Sequence, residues 1–577
     1  MKRLAIHLKN YKAHLIWGPF FKLLEAIFEL IVPLVMAQVI DEGINSGAGT
    51  GYILSRGFLI LALGVTGLCC ALICQYVASK CSQGYGTLLR NDLFAHINKL
   101  SYKELDKFGA ATLVNRLTAD VNQLQNMVAM MIRLFIRAPF LVIGAAVMAM
   151  IINLKLSLVF LAAAPLIAFV LYMIMSRTVP HYKTVQKKLD TVTNVTRENL
   201  AGVRVVRAFA NQDYERARFK AAAEDLTRTS NTVGAISALL NPLTFAIINV
   251  AILAILYFGG GIVKSGDMTQ GEIIAFVNYM TQISLALVVV ANMVILITKS
   301  SASASRVLEV LNTQPSITDE GNETVTPDEN APAVSFDNVY FGYGGGNYAL
   351  DGLTVNVNKG ETVGIIGGTG SGKSTLVNLL ARFYDVSEGS VKLFGTDVRK
   401  YPLEQLRTTV AYVPQKAVLA SGTIRSNMQW AKKNATDEEI WRALEIAQAA
   451  DFVRAKKKGL DEIVERDGRN FSGGQRQRLT IARALVGSPR IIVFDDSSSA
   501  LDFATDYALR KAIAETKGDA TVFWVSQRAT SIKNADKIIV LDEGDVKGIG
   551  THETLFDTCD VYREICLSQV SKEENAR

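Results

Sequence analysis

GGTGSGKST, Gly367 to Thr375, is the stretch on which the reading turns. It satisfies the pattern G-x-x-x-x-G-K-[ST] and lies between the apolar run VGIIG and the helix-like run STLVNLLARF. A strand arriving and a helix leaving are the context this motif requires. Gly367, Gly368, Gly370 and Gly372, with Thr369 and Ser371 among them, let backbone N–H groups curl around phosphates unobstructed by side chains. The helix that follows turns its positive end toward the same anion. Lys373 adds a charge for the outer phosphates, and the hydroxyl of Ser374, beside Thr375, suits Mg2+, which takes hard oxygen ligands. The expectation is an α/β domain that binds a nucleoside triphosphate with Mg2+.

Downstream, IIVFDD at 491–496 reads as a buried strand ending in two carboxylates. Asp495 at its end can hold the metal through water. AVSFDNVYFGY, LTVNVNKG, ETVGIIGG and TVFWVS read as further strands alternating with helical runs, the layout of an α/β nucleotide-binding domain. Upstream, TQPSITDEGNETVTPDENAP at 313–332 is acidic, polar and carries three prolines, the composition of a linker. The soluble domain is expected over 333–577, with the linker region spanning 306–332.

Residues 1–305 differ in kind. Apolar residues make up 49% of the 577-residue chain and charged ones 20%, and the apolar excess lies before about residue 305. A membrane-crossing helix needs about 20 mostly apolar residues. Six such segments are expected, near 15–40 (containing Pro33), 57–80, 126–153, 155–177, 236–262 and 272–299. The second and third, and the fourth and fifth, are separated by long helical stretches rich in Lys and Arg. That bias puts both stretches, with the basic N-terminus, on the cytoplasmic side. Six crossings then return the chain to the cytoplasm ahead of the soluble domain. The N-terminus MKRLAIHLKNYKAHLIWGPFF lacks a small-residue cleavage site and reads as a retained first membrane helix.

The net charge of +7 is accounted for by basic residues flanking apolar segments, so no nucleic acid is expected as partner. Cys69, Cys70, Cys74, Cys81, Cys559 and Cys566 form no C-x-x-C pair, which argues against zinc and against a disulfide scaffold.

FSGGQRQRL, beginning at Phe471, makes the pattern specific. The sequence resembles an ATP-binding-cassette (ABC) exporter half-transporter, whose signature reads leucine-serine-glycine-glycine-glutamine. FGAATLVNRLTADV and ENLAGVRVVRAFANQDYE, in the two cytoplasmic stretches, match the same family. The resemblance implies an all-α six-helix transmembrane domain followed by an α/β cassette, placed in the cell membrane with the cassette in the cytoplasm. It implies ATP and Mg2+ as cofactors. Ser472, Gly473, Gly474 and Gln475, after Phe471, would face the γ-phosphate of an ATP held by another subunit, so the working unit is a dimer with two ATPs. Tyr343 would stack on adenine, Gln415 in AYVPQ would touch Mg2+, and Asp502 in SALD would run along the dimer interface.

Two positions depart from the family. Its glutamate base is here Asp496, the same chemistry on a shorter stem. Misplacing a base by about 1 Å can cost on the order of 100-fold. Its histidine after the TVFWVS strand is here Gln527, which carries no charge at any pH. Together they imply a site that binds ATP but hydrolyses it poorly, in one subunit of a heterodimeric exporter of multidrug or lipid type. Its intact signature would complete the partner's site. The alternatives are a homodimeric lipid or peptide translocase, or an ATP-sensing membrane protein that moves nothing. Arg466, beside Glu465, stands where the family has a glutamate, and no role follows for it.

Inside the apolar segments, Glu25 and Glu29 lie four apart, as do Arg133 and Arg137. They read either as a polar cavity for cationic or amphipathic substrates, or as mutual ion pairs or charges near the cytoplasmic helix ends where they meet water, the latter arrangements being the commoner. Asn278, Gln282 and Asn292 of the sixth segment are further residues that could line a pathway. The expected cargo is a small hydrophobic or amphipathic molecule leaving the cytoplasm, and membrane lipid is a further expected partner.

Overall fold

A computed structural model describes residues 2–319, 324–344, 346–498 and 500–574. The chain divides into two compact units, Met1–Asn98 with Gly109–Thr313, and Lys99–Phe108 with Gln314–Arg577.

Six helices among the described residues of the first unit are long and apolar enough to cross a membrane: Arg3–Asn45, Thr50–Ile97, Ala110–Ile152, Leu154–Ala201, Gln212–Lys264 and Gln270–Asn312. Each holds one expected apolar segment, except that Asn153 caps the fourth helix by accepting the Leu156 N–H at 3.0 Å. Their lengths of 43–53 residues correspond to about 65–80 Å at about 1.5 Å per residue, twice the hydrocarbon thickness or more. Hydropathy alone marks only the apolar half of each. The sixth helix runs unbroken to Asn312, so residues 306–312 of the expected linker are helical.

Small residues line the bundle's centre. Ala26, Ala145, Ala149, Ala251 and Ala275 are buried, which lets helix backbones approach closely where lipid supplies no hydrophobic drive. Buried Tyr279 donates to the carbonyl of Leu30 at 2.7 Å, giving its hydroxyl the partner that burial demands. At the outer end, Asp41 ties the first helix to the start of the sixth. One oxygen accepts the Gly271 N–H at 2.8 Å and the other the Thr269 hydroxyl at 2.6 Å. Only glycine fits at 271, since a Cβ there would lie 2.4 Å from the carbonyl oxygen of Ala37. At the opposite end, Arg306 bonds buried Asp120 (Nε to Oδ2, 2.9 Å) and Arg116 bonds Glu309 at 3.0 Å, joining the third and sixth helices.

The second unit is built on two sheets. Strands β1 (Val334–Phe341), β2 (Leu350–Val357), β3 (Thr362–Gly367), β4 (Glu388–Leu393), β5 (Thr396–Asp397), β6 (Val410–Val413), β7 (Gly422–Thr423), β8 (Ile463–Val464), β9 (Ile491–Asp495), β10 (Thr521–Val525), β11 (Lys537–Asp542) and β12 (Asp545–Gly550) are described. The larger sheet has the order β12-β11-β3-β10-β9-β6, parallel except at the β12 edge. The smaller, β2-β1-β4-β5, is antiparallel, and β7 pairs with β8. β9 and β10 are buried at every residue and β3 at all but its first. That is what unbroken apolar runs produce in the middle of a parallel sheet. The register pairs Asp495 with Val525, and Val525 with Ile365, so the carboxyl ends of β3, β9 and β10 open on one edge. Ligands of parallel α/β sheets bind along such an edge.

Candidate nucleotide site

Strand β3 ends at Gly367, and the helix Lys373–Leu380 begins six residues on. The turn between them is possible because of two glycines. Gly372 has φ +96°, and a Cβ there would lie 2.6 Å from the Ala349 carbonyl oxygen; at Gly367 it would lie 2.0 Å from that of Leu541. Lys373 is nearly buried. It donates to the carbonyls of Gly367 (3.0 Å) and Gly368 and to the Ser371 hydroxyl (3.3 Å), holding its ammonium inside the loop. Burial pulls its pKa below the usual lysine range, against the opposing charges of Asp496 and Asp495.

Asp495, at the end of β9, is 5% exposed. Its Oδ1 accepts from the Ser374 hydroxyl at 2.9 Å and its Oδ2 from the Tyr412 hydroxyl at 2.7 Å. Asp496 follows in the left-handed region, φ 43°, which turns the chain sharply off the strand. Its carboxylate accepts from the Gln415 side-chain amide at 3.2 Å. Burial, then the charge of Asp495, raise the Asp496 pKa above the usual aspartate range, while Gln415 and Lys373 act the other way. The sequence-chosen Lys373, Ser374, Gln415, Asp495 and Asp496 thus form one cluster beside the glycine loop. A bare cradle, a cation within it and a hydroxyl–carboxylate pair of hard oxygens at its mouth fit a triphosphate with Mg2+.

Tyr343, 54% exposed, donates or accepts at 3.1 Å with the Thr375 hydroxyl, and its ring meets Phe341 and Tyr384 edge-on at 4.9 and 5.3 Å. Both ring contacts are edge-on, and about half of the side chain stays exposed. Gln527 is exposed just past β10, and its backbone carbonyl accepts from Gln569 at 2.8 Å.

The residues of the signature occupy a different place from this cluster. Phe471 is buried, while Ser472 caps the helix Gly473–Leu485, its hydroxyl accepting the Gln475 N–H at 3.3 Å and its own N–H donating to the Gln475 side chain at 3.0 Å. This capping box leaves the start of the helix exposed, and nothing lies within 4 Å of where a Cβ would sit on Gly473. Asp502 caps the helix Phe503–Thr516 by accepting the Thr505 N–H at 2.9 Å. Arg466 is 86% exposed, and its side chain lies 3.8 Å from that of Asp467.

In the membrane unit four charges, Lys22, Glu25, Glu29 and Arg137, pair with one another. Arg137 meets Glu29 at 2.7 Å and Glu25 at 4.0 Å, and Lys22 meets Glu25 at 2.7 Å. Arg133 lies in a wide π-helical turn, Met131–Phe135, with its Nε buried and bonded to nothing among the described residues. Gln282 donates to the Glu29 carbonyl at 3.4 Å, and with Glu29, Arg137, Leu141 and Leu285 it lines a small cavity. Asn278 bonds its own helix at Ile274, and Asn292 is exposed.

Sequence reasoning passes over Tyr412, although a tyrosine on an inner strand has to find a partner for its hydroxyl. It also misses Asp41, whose role depends on a residue 230 positions away.

Residues 15–287 match the family model for the ABC transporter transmembrane region, and residues 350–499 match the ABC transporter model. An uncharacterized ABC transporter ATP-binding protein of Mycobacterium tuberculosis (strain CDC 1551 / Oshkosh) is 37% identical over 98% of this chain and 97% of its own. An ATP-dependent lipid A-core flippase of Vibrio vulnificus (strain YJ016) is 28% identical over 98% of this chain and 96% of its own. The solved structure of a bacterial Atm1-family ABC exporter with ATP bound superposes with a TM-score of 0.80 at 24% identity, covering 97% of this chain and 98% of that one.

Proposed function

Because the chain belongs to the ABC transporter family, as a multi-pass membrane protein with a cytoplasmic ABC domain, we propose that it is one half of a heterodimeric exporter. Its cargo is a small hydrophobic or amphipathic molecule. Its own site binds ATP and turns it over slowly, while its signature completes the partner's site.

One observation carries this reading: a complete glycine cradle with Lys373, Ser374 and Asp495 stands beside a base of reduced reach. Asp496 has a stem one carbon shorter than glutamate and is hydrogen-bonded to Gln415. Past β10, Gln527 stands in place of the family's histidine and supplies no cation of its own, while the charge of Arg528 acts on Asp496 from a distance. The bound Mg2+ would neutralise the outer phosphates. Ser374 and Asp495 would hold it, Lys373 would grip the phosphates, and Tyr343 would stack on the base. The exposed helix start at Ser472–Gly474 is an anion site of the kind a helix N-terminus offers, turned outward to a second subunit.

The need for a second subunit has further support in the first unit. The short cytoplasmic helix Val203–Ala208 ends at Phe209, which is 78% exposed, with Val205 and Leu200 exposed nearby. Such an apolar tip in water is a surface that a partner covers. The cargo class rests on the apolar bundle with its small charged cavity and on the lipid-moving relative.

The test is co-purification with the natural partner followed by site-specific nucleotide trapping. Trapped product is expected at the partner's phosphate loop and not at Gly367–Thr375. Asp496→Asn should lower total ATPase less than about twofold, whereas loss of the partner's base should lower it by about 100-fold or more. If the purified chain pairs with itself and hydrolyses ATP at an ordinary rate, the homodimeric translocase replaces this reading.

A further inference from the structure

Tyr412 connects the metal carboxylate to a piece of chain that sequence order assigns to the membrane domain. It sits on edge strand β6, in parallel register with Val493 of β9, and its hydroxyl reaches Asp495 Oδ2 at 2.7 Å. With Ser374 on Oδ1, each carboxylate oxygen takes one protein hydrogen bond. Two donors on opposite oxygens fix both the position and the plane of the group. The Tyr412 ring lies edge-on to Phe383 at 5.1 Å, and Phe383 lies against Tyr102 at 4.6 Å.

Tyr102 belongs to the segment Lys99–Phe108, which joins the second compact unit although it lies between the second and third membrane helices. The segment is firmly seated. Buried Glu104 accepts from the Ser101 N–H at 3.1 Å and from the N–H and hydroxyl of Ser316 at 3.3 Å each. Tyr384, which touches both Tyr102 and Tyr343, donates to Asp106.

We propose that Tyr412 is a positioning residue for the metal. Its hydroxyl sets the orientation of Asp495, and its ring, through Phe383, makes that orientation answer to the seating of Tyr102. The proposal rests on Asp495 being the carboxylate that holds Mg2+. Partners of metal-holding groups set affinity because they fix the ligand's direction, and their loss typically costs about 10- to 100-fold. The ring contacts supply a path: rings in close contact shift together or not at all, since a packed interior has no slack.

The experiment uses the full-length chain in lipid nanodiscs. ATP affinity is measured in Mg2+ and in EDTA, and the spectrum of bound Mn2+–ATP is recorded by electron paramagnetic resonance. For Tyr412→Phe, the tightening of ATP binding by Mg2+ should fall about 10-fold, with affinity in EDTA unchanged and the Mn2+ line shape altered. Tyr102→Ala should shift the Mg2+ effect the same way by a smaller factor, and should add nothing in the Tyr412→Phe background. Unchanged affinity in EDTA also certifies that each variant is folded. If Asp495→Asn loses the Mg2+ effect while Tyr412→Phe keeps it, the positioning role is overturned and the metal site stands. If Asp495→Asn keeps the effect, the metal assignment itself fails. A Tyr102→Ala shift that persists undiminished in Tyr412→Phe overturns the ring path.

Discussion

The cassette and the membrane bundle both bury charge, and they do so in opposite ways. In the bundle, Lys22, Glu25, Glu29 and Arg137 satisfy one another, which is how a low-dielectric interior tolerates ions. In the cassette, among the described residues, Lys373 is hydrogen-bonded by neutral carbonyls and a hydroxyl, and Asp495 by two hydroxyls, and neither forms an ion pair. Their charges attract one another at a distance and are oriented without pairing. A charge that is positioned and left unpaired is one prepared for a ligand, and the difference separates a site from a structural pair.

That contrast can be tested to breaking, starting with the cassette. Lys373→Ala should weaken ATP binding by roughly 10- to 100-fold, the worth of a charge-assisted bond to phosphate, as read by nucleotide titration. Fold stability should move less, because Asp495 and Asp496 lose a distant countercharge and not an ion-pair partner. In the bundle, Arg137→Leu strands Glu29 and should cost about 2–3 kcal/mol of stability, reduced from the value for a fully buried pair by the partial exposure of both groups. Thermal unfolding in lipid measures it, and adding Glu29→Leu should recover part of the loss. Ser472→Ala removes a helix cap and should cost about 1 kcal/mol locally, seen as faster amide exchange at the start of Gly473–Leu485. The smallest effect concerns Asp496, whose pKa the fold raises. A raised carboxyl pKa means that the folded state holds the proton more tightly than the unfolded chain. The resulting stability is present below the ordinary aspartate pKa and is lost as pH rises through the raised value. Asp496→Asn should flatten that part of the pH–stability curve.

The two regions also differed in how much could be read ahead of the structure. The phosphate loop was legible because its constraints are local: Gly372 needs its positive φ, and Lys373 bonds atoms five and six residues away. The neighbouring Asp495 and Asp496 were legible because strand β9 is apolar throughout up to them. The six membrane segments were found, but not the length of their helices, since the polar halves carry no hydropathic mark. The pairing of Arg137 with Glu29 was one of the readings left open, beside a polar cavity and a place at the cytoplasmic helix ends, and a 108-residue separation gives no clue as to which. Tyr412 and Asp41 stayed hidden because their meaning lies in distant partners.

The latch between Asp41 and the Thr269–Gly271 corner has a mechanical corollary. With Gly271 seated against Ala37 and no room for even one methyl group, the first and sixth helices are riveted together at the outer tip. The same two helices are tied again at the cytoplasmic end, where the Arg3 guanidinium donates to the Leu311 carbonyl, so sliding one along the other has to break a bond at each end.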